Sequence, residues 1–492
     1  MKFLRVLCVL AVALCLTASV YAETQSVKVS GDLTMRSLFR NQYDYQSSPP
    51  EPDQPRTGLD SSWQSWLMSV AEIEIDADLT DNVQTVIRLV NQRDWNVWAK
   101  SDSATTGGFP NGRAAYTEND DEFDVMVDLA YVTLKDFIYS PLTVTIGRQD
   151  LWFGKGFIVG ANLQNPGNGW NGSTGGNLTA PEYTAVWSFD AVKAVLDYDP
   201  WTITGVYSKI YEDAVQARDD VDLYGLNVGY KFDSYMAEAE AYWFWKADRG
   251  LDAYRNISRN TNDVHTFGLR GSFDPVDVVT VNLEGAYQGG EYVANRLQTT
   301  SRVRSAWALD VGTELRYFAE KYSWKPKFGA EFIYYSGNKP EDNTASDPGG
   351  QGTYTGWDPV YRGKFDSAIR EFVGRFYYTG RYPANNDNFY SADDASYRNQ
   401  FQMIFLGSLQ PMDSLTLKAN YNLFWNQCAY TIANDDKSLG FIGQEIDLTA
   451  NWDYTEDVSF GLLCGWFVPG DVYYENMNKV TTDIVGTVKV SF

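Results

Sequence analysis

One histidine, His265, stands in a chain of 492 residues. Hydrolysis of the Ser–His or Asp–His kind needs an imidazole held beside its nucleophile. His265 sits next to a loop and ahead of Thr266-Phe267, a surface position, so no catalytic set is assigned and the chain reads as a non-enzyme. A multi-histidine metal centre is excluded on the same count. Carboxylates are plentiful, with 64 Asp+Glu against 40 Lys+Arg and a net charge of -24, so neighbouring acids are expected by number alone. Glu72, Glu74, Asp76 and Asp78 recur at every second position, which could hold no more than a weakly bound divalent ion. No cofactor and no metal are expected. The acidity argues against nucleic acid, which calls for a basic footprint.

The remaining charged residues are notable for what lies opposite them. Glu72, Glu74, Asp76 and Asp78 alternate with Ala71, Ile73, Ile75, Ala77 and Leu79. Asp310, Glu314 and Arg316 alternate with Trp307, Leu309, Val311, Leu315 and Tyr317. Lys418 lies among Thr416, Asn420, Asn422 and Asn426, opposite Leu415, Leu417, Ala419, Tyr421, Leu423 and Trp425, with Phe424 out of pattern. Period-2 alternation is the mark of a strand with two unlike faces.

About eighteen such segments follow the first 22 residues, each near the ~9–11 residues a tilted membrane-crossing strand needs. They fall at 27–40, 63–79, 83–94, 122–135, 142–150, 185–198, 201–212, 221–232, 235–246, 264–273, 278–288, 305–318, 325–336, 399–409, 414–427, 440–453, 458–468 and 481–492. Long connections, such as 41–62, 95–121, 151–184 and 337–398, alternate with tight turns such as Thr80-Asp81-Asn82, Asp199-Pro200 and Gln410-Pro411-Met412-Asp413. The turn residues are those that turn chemistry selects. The 75 aromatics recur near strand ends, at Trp63, Trp66, Trp201, Trp243, Trp245, Trp307, Trp425 and Trp452 among others, as girdles at two membrane interfaces would place them. The pattern predicts an all-β fold: a single transmembrane antiparallel β-barrel over 23–492, with short periplasmic turns and long extracellular loops in a Gram-negative-type outer membrane. A soluble sandwich or propeller fits less well, because the series shows no linker and no blade repeat.

Residues 1–22 read as a secretory signal peptide, with Lys2 and Arg5 ahead of the apolar run Val6–Leu16 and small residues Val20 and Ala22 before the cleavage point. Its removal takes two basic residues and makes the net charge more negative, at -26. Two cysteines remain, Cys464 at an outward strand position and Cys428 in a loop. They are expected to stand as separate thiols.

Three segments resemble the alginate-export family of outer-membrane barrels. Ile146-Gly147-Arg148-Gln149-Asp150-Leu151-Trp152-Phe153-Gly154 with Phe157-Ile158-Val159-Gly160 is similar to its Gly-Arg-Gln strand end and glycine-rich turn. Phe189-Asp190-Ala191-Val192-Lys193 is similar to its next strand. Gly443-Gln444-Glu445-Ile446-Asp447-Leu448 with Phe467-Val468-Pro469-Gly470-Asp471 is similar to its last hairpin. The resemblance implies an eighteen-stranded monomeric barrel that exports or admits an anionic polysaccharide in some members. Phe492, a terminal aromatic, looks like the signal read by barrel-assembly machinery.

Alternation assigns the polar face to the lumen. Pore-lining candidates are Arg36, Glu72, Glu74, Arg88, Arg148, Lys193, Arg270, Asp310, Glu314, Arg316, Lys327, Lys418, Glu445 and Asp447. Arg148 has outward parity with Val144 and Ile146, and lines the pore only if a bulge turns it. Arg36, Arg88, Arg316 and Lys327 are the candidates for a basic patch. The lining leans acidic, whereas a polyuronate would want a positive track. Loop 337–398 carries Trp357, Tyr361, Phe376 and Tyr377 and would constrict the lumen, cap the mouth, or stack on sugar rings; loop 151–184 is the second candidate constriction. The function read is a water-filled channel embedded in outer-membrane lipid, passing hydrophilic solutes or a polysaccharide. The alternative is a closed barrel serving as a surface adhesin or structural protein.

Overall fold

A computed structural model describes residues 26–43, 63–95, 125–162, 178, 180–212, 220–249, 262–293, 301–338, 352–372, 397–431, 438–473 and 478–492. The expected signal peptide 1–22 and the loop aromatics Phe376 and Tyr377 lie outside the described residues.

Eighteen strands form one antiparallel sheet: β1 (Ser26–Asn41), β2 (Trp63–Thr80), β3 (Val83–Asp94), β4 (Met126–Leu134), β5 (Leu142–Gln149), β6 (Phe189–Tyr198), β7 (Trp201–Tyr211), β8 (Val221–Lys231), β9 (Glu238–Asp248), β10 (Asn262–Val276), β11 (Val279–Tyr292), β12 (Arg302–Leu315), β13 (Lys327–Tyr335), β14 (Gln400–Met412), β15 (Leu415–Thr431), β16 (Ser438–Asp453), β17 (Val458–Pro469) and β18 (Thr481–Ser491). Each pairs with its sequence neighbour, and β1 pairs with β18, which closes the barrel. Closure leaves no edge, the condition for a sheet to cross a membrane. Beyond the last strand, Phe492 and Gly31 exchange two backbone hydrogen bonds of 2.9 Å, and the Phe492 ring lies over Gly31, where a Cβ would be 2.6 Å from it.

Every expected segment is a strand, and the differences are at the ends. β9 starts at Glu238 because Tyr235 and Met236 have positive φ in the preceding turn. β6 starts at Phe189 because the chain before it is folded against the barrel's inner wall. β15 runs on to Thr431, so Cys428 is a strand residue and not a loop residue; Cys428 and Cys464 are free thiols.

The outward face is apolar and exposed, as at Ile73, Ile75, Leu269 and Leu283. Aromatic clusters mark the turn end, where the Trp201 and Tyr230 rings are 4.6 Å apart and Trp452 stacks on Phe460 at 5.6 Å. Trp66 departs from the girdle expectation: it lies over the buried Arg40 guanidinium at 5.1 Å, inside the barrel.

Candidate functional site: a lumen narrowed by two joined loops

A barrel of water-filled lumen has a polar inner face, yet this one carries buried apolar side chains there. Leu223, Phe244, Val264, Ala286, Ala306 and Ile333, one from each of β8 to β13, are buried. What covers them is the β5–β6 loop and the β13–β14 loop, which supply Leu151, Phe157, Val159, Trp357 and Tyr361 to the same cluster. Each large side chain so buried contributes ~1.5–3 kcal/mol, enough to hold a loop without strand pairing.

The two loops are joined through their backbones. The Gly160 and Ala161 N–H groups donate to the Tyr361 carbonyl at 2.7 and 3.0 Å, Tyr361 N–H donates to Ile158 O at 3.0 Å, and Gly363 N–H donates to Gly156 O at 2.9 Å. Val159 and Tyr361 form a parallel bridge. Gly160 and Gly363 meet so closely that a Cβ on Gly363 would lie 2.6 Å from the Gly160 carbonyl carbon. Only glycine permits that approach, which accounts for the glycine-rich turn after Arg148-Gln149.

Ion pairs then fix the loops to the wall. Lys246 of β9 reaches Asp358 at 3.3 Å, and Gln288 of β11 exchanges two hydrogen bonds with the Asp358 backbone. Burial opposes a charge on Asp358, but Lys246, Arg304 and Arg398 outweigh it and hold its carboxyl well below the usual range. Lys364 of the loop reaches the wall at Asp310, 2.8 Å away, and at Glu331. Arg362 pairs with Asp366 at 2.7 Å and packs over the rings of Phe157, Tyr335 and Tyr397.

The far end of the β13–β14 loop is seated on β16. Residues Arg370–Phe372 form one helical turn. Glu445 accepts the Ile369 and Arg370 N–H groups, each at 2.8 Å, and Asp447 accepts Ala368 N–H at 3.2 Å. Glu371 accepts the Asp366 and Ser367 N–H groups; burial, then the Asp366 carboxylate, push its carboxyl up to about 8 against the pull of Arg362. The β5–β6 loop has its own anchor: Arg40 of β1 pairs with Glu182 and with Asp483 of β18, and Leu178, Ala180 and Val186 pack on Leu38, Met68, Val70 and Val90.

The candidates separate accordingly. Glu445, Asp447 and Asp310 are loop anchors. Trp357 and Tyr361 are buried, 1% and 3% exposed, and leave no ring face for a sugar. Arg270 is held by Glu238 and Glu240. Arg316 falls just past β12, paired with Asp274 at 2.9 Å, and shares Glu314 with Lys327. Arg36 packs on the Tyr183 ring at 4.9 Å. Arg316 and Lys327 meet at Glu314 by the β12–β13 turn, while Arg36 and Arg88 stand on β1 and β3, so the four do not converge into one basic patch. Lys418 has no carboxylate within 4 Å among the described residues.

Arg148 keeps its outward parity. It is the register partner of Asp190, as Ile146 is of the exposed Val192, while Gln149 turns inward and is buried. His265 is also outward, in register with Trp245 and stacked on it at 5.1 Å.

The open acidic wall is on β2–β5. Arg88 of β3 donates to Asp128 at 2.7 Å and has Glu72 at 3.7 Å, Glu74 at 3.8 Å and Asp150 at 3.6 Å. Lys193 is a register neighbour of Thr145 on the same side and acts on Asp150. Asp150 stands at the root of the infolded β5–β6 loop. Sequence reasoning missed Arg40, Glu182, Lys246, Asp358, Arg362 and Lys364, the residues that fix the loops. The signal for them was the apolar residues out of place on the polar face, Phe424 among them, which is fully buried and meets Phe467.

The fold resembles solved structures from end to end. Acinetobacter baumannii OccAB1 is 11% identical with a TM-score of 0.53, covering 96% of this chain and 99% of its own. Pseudomonas aeruginosa OpdL is 10% identical with a TM-score of 0.50, covering 95% and 99%. Pseudomonas aeruginosa OccK8 (OprE) is 9% identical with a TM-score of 0.50, covering 94% and 98%. At these identities the likeness is one of fold. A comparison with curated proteins found no match. The alginate export family profile matches residues 64–487, most of the barrel. The chain belongs to the alginate export family.

Proposed function

We propose that this barrel is an outer-membrane channel for small hydrophilic solutes, with a preference for cations, and not a track for a polyuronate. The observation that carries the reading is Arg88 with four carboxylates around it, on the wall beside the joined loops. A ring of acid at a constriction favours cations. Where the loops meet the wall, three buried cations are already engaged: Lys246 with Asp358, Lys364 with Asp310 and Glu331, Arg362 with Asp366. A polyanion moving through a narrow lumen would need such groups turned to it.

We read the barrel as non-catalytic, since its one imidazole is stacked on Trp245 on the outward wall. Reconstitution of the full chain in a planar bilayer tests the reading. Discrete conductance steps are expected. Silence in the intact chain and also after deletion of 337–398 would favour the closed adhesin or structural barrel instead.

A further inference from the structure

The outward wall carries a row of charge that the lumen does not use. Arg148, Asp190, Lys209 and Asp222 stand on β5, β6, β7 and β8 as successive register partners. Their signs alternate. Arg148 meets Asp190 at 3.3 Å and Lys209 meets Asp222 at 2.9 Å, with Glu212 a further 3.0 Å neighbour of Lys209. Asp190 and Glu212 are open, with side chains 61% and 55% exposed, Arg148 and Lys209 are half-buried, and Asp222 is buried beneath Lys209.

Its height follows from what lies beneath. One pleat toward the turns, Tyr207, Tyr224, Trp245 and His265 are again register partners, with ring centroids 5.2, 5.0 and 5.1 Å apart in order. The Tyr207 hydroxyl donates to Asp222 at 3.1 Å, tying the two rows together. A charge on the lipid-facing wall is costly at mid-membrane and nearly free at the interface, and amphipathic rings sit at headgroup level. The charged row therefore stands among the headgroups of the loop-side leaflet.

Below the rings the wall is hollowed. Ala241 and Gly285 leave an apolar groove of about 870 Å³ between the ridges Leu226, Trp243 and Trp307, with Leu269 exposed in it. Down β8 the order is Asp222, Tyr224, Leu226: charge, ring, groove.

We propose that this face is a binding site for one phosphorylated lipid of the surrounding leaflet. Arg148 and Lys209 take its phosphate oxygens, Asp190 and Glu212 take the divalent ions that accompany it, and an acyl chain fills the groove. A mixed-sign row suits a headgroup that arrives with its counter-ions, where an all-basic patch would suit the bare anion. The site rests on the barrel standing in a membrane and not on what the lumen passes.

The test reconstitutes the full chain in phosphatidylcholine vesicles that contain a minor share of a bis-phosphorylated glucosamine lipid. Lipid retained per barrel after detergent extraction is counted by native mass spectrometry, with magnesium and with a chelator. The wild type is expected to keep one phosphorylated lipid in magnesium and to lose it to the chelator. R148Q with K209Q is expected to lower retention by about five-fold per cation removed. A241W, which fills the groove and leaves the charges, is expected to lower it as well. D190K is expected to raise retention in the chelator, which guards against a variant that merely folds badly. Equal retention in all four proteins, or retention of phosphatidylcholine alone, would overturn the site. Conductance measured on the same vesicles reports the channel reading separately.

Discussion

Asp358 and Glu371 sit in the same infolded loop and answer pH in opposite directions. Asp358 has its carboxyl held low by Lys246, Arg304 and Arg398 against its burial. A carboxyl depressed in the folded chain contributes stability above its unfolded pKa, and that contribution goes only as pH falls through the lower folded value. Glu371 is pushed up to about 8 by burial. Its contribution is full below its unfolded pKa and is lost as pH rises through about 8. Base, and not mild acid, is therefore expected to loosen the loop. Once the base-catalysed intrinsic rate is divided out, amide protection across 366–372 should fall between neutral and alkaline pH in the wild type and stay constant in Glu371→Gln. Asp358→Asn leaves Lys246 buried without its partner, a loss of about 3–5 kcal/mol for such pairs. Its expected readout is cleavage by added protease near 352–372 at neutral pH, where the wild type resists.

At the scale of elements, the strands were legible in detail, whereas the loops 151–184 and 337–398 were legible only as candidate constrictions and not in what holds them, for one physical reason. A membrane strand shows lipid to one face and water to the other, so its sequence alternates and its bounds can be read to within a few residues, as at β3 (Val83–Asp94). A loop that folds inward has no period. Its trace is left on the strands it covers, in Leu38, Phe244, Ile333 and Phe424, apolar residues on what should be a wet face. Of the three uses open to Trp357 and Tyr361 in the sequence, sugar stacking is closed by their burial, and they pack inside the infolded loops. Arg148 keeps the outward parity its neighbours give it. The joint between the loops is the element to break. Gly363→Val drives a side chain into the Gly160 backbone, at about 1–3 kcal/mol for overpacking. Single-channel conductance is expected to rise in that variant, with the heat resistance of the barrel on gels unchanged, because no strand pairing is touched. Unchanged conductance would mean the joined loops do not set the pore.

For the whole molecule, closure and charge work together. β1 and β18 complete the wall, and the membrane fixes which face each residue may show. Inside, the loops consume buried cations and leave carboxylates on the β2–β5 wall, so the chain's acidity has a place as well as a sum. On the proposed reading, that acidity parts this barrel from the polyuronate cargo its family name suggests. Reversal potential across a salt gradient in a planar bilayer tests the claim most directly. A cation-preferring potential is expected, moving toward zero when Glu72, Glu74 and Asp150 are changed together to their amides. An anion-preferring potential in the wild type, or one that the triple change leaves where it was, would contradict it.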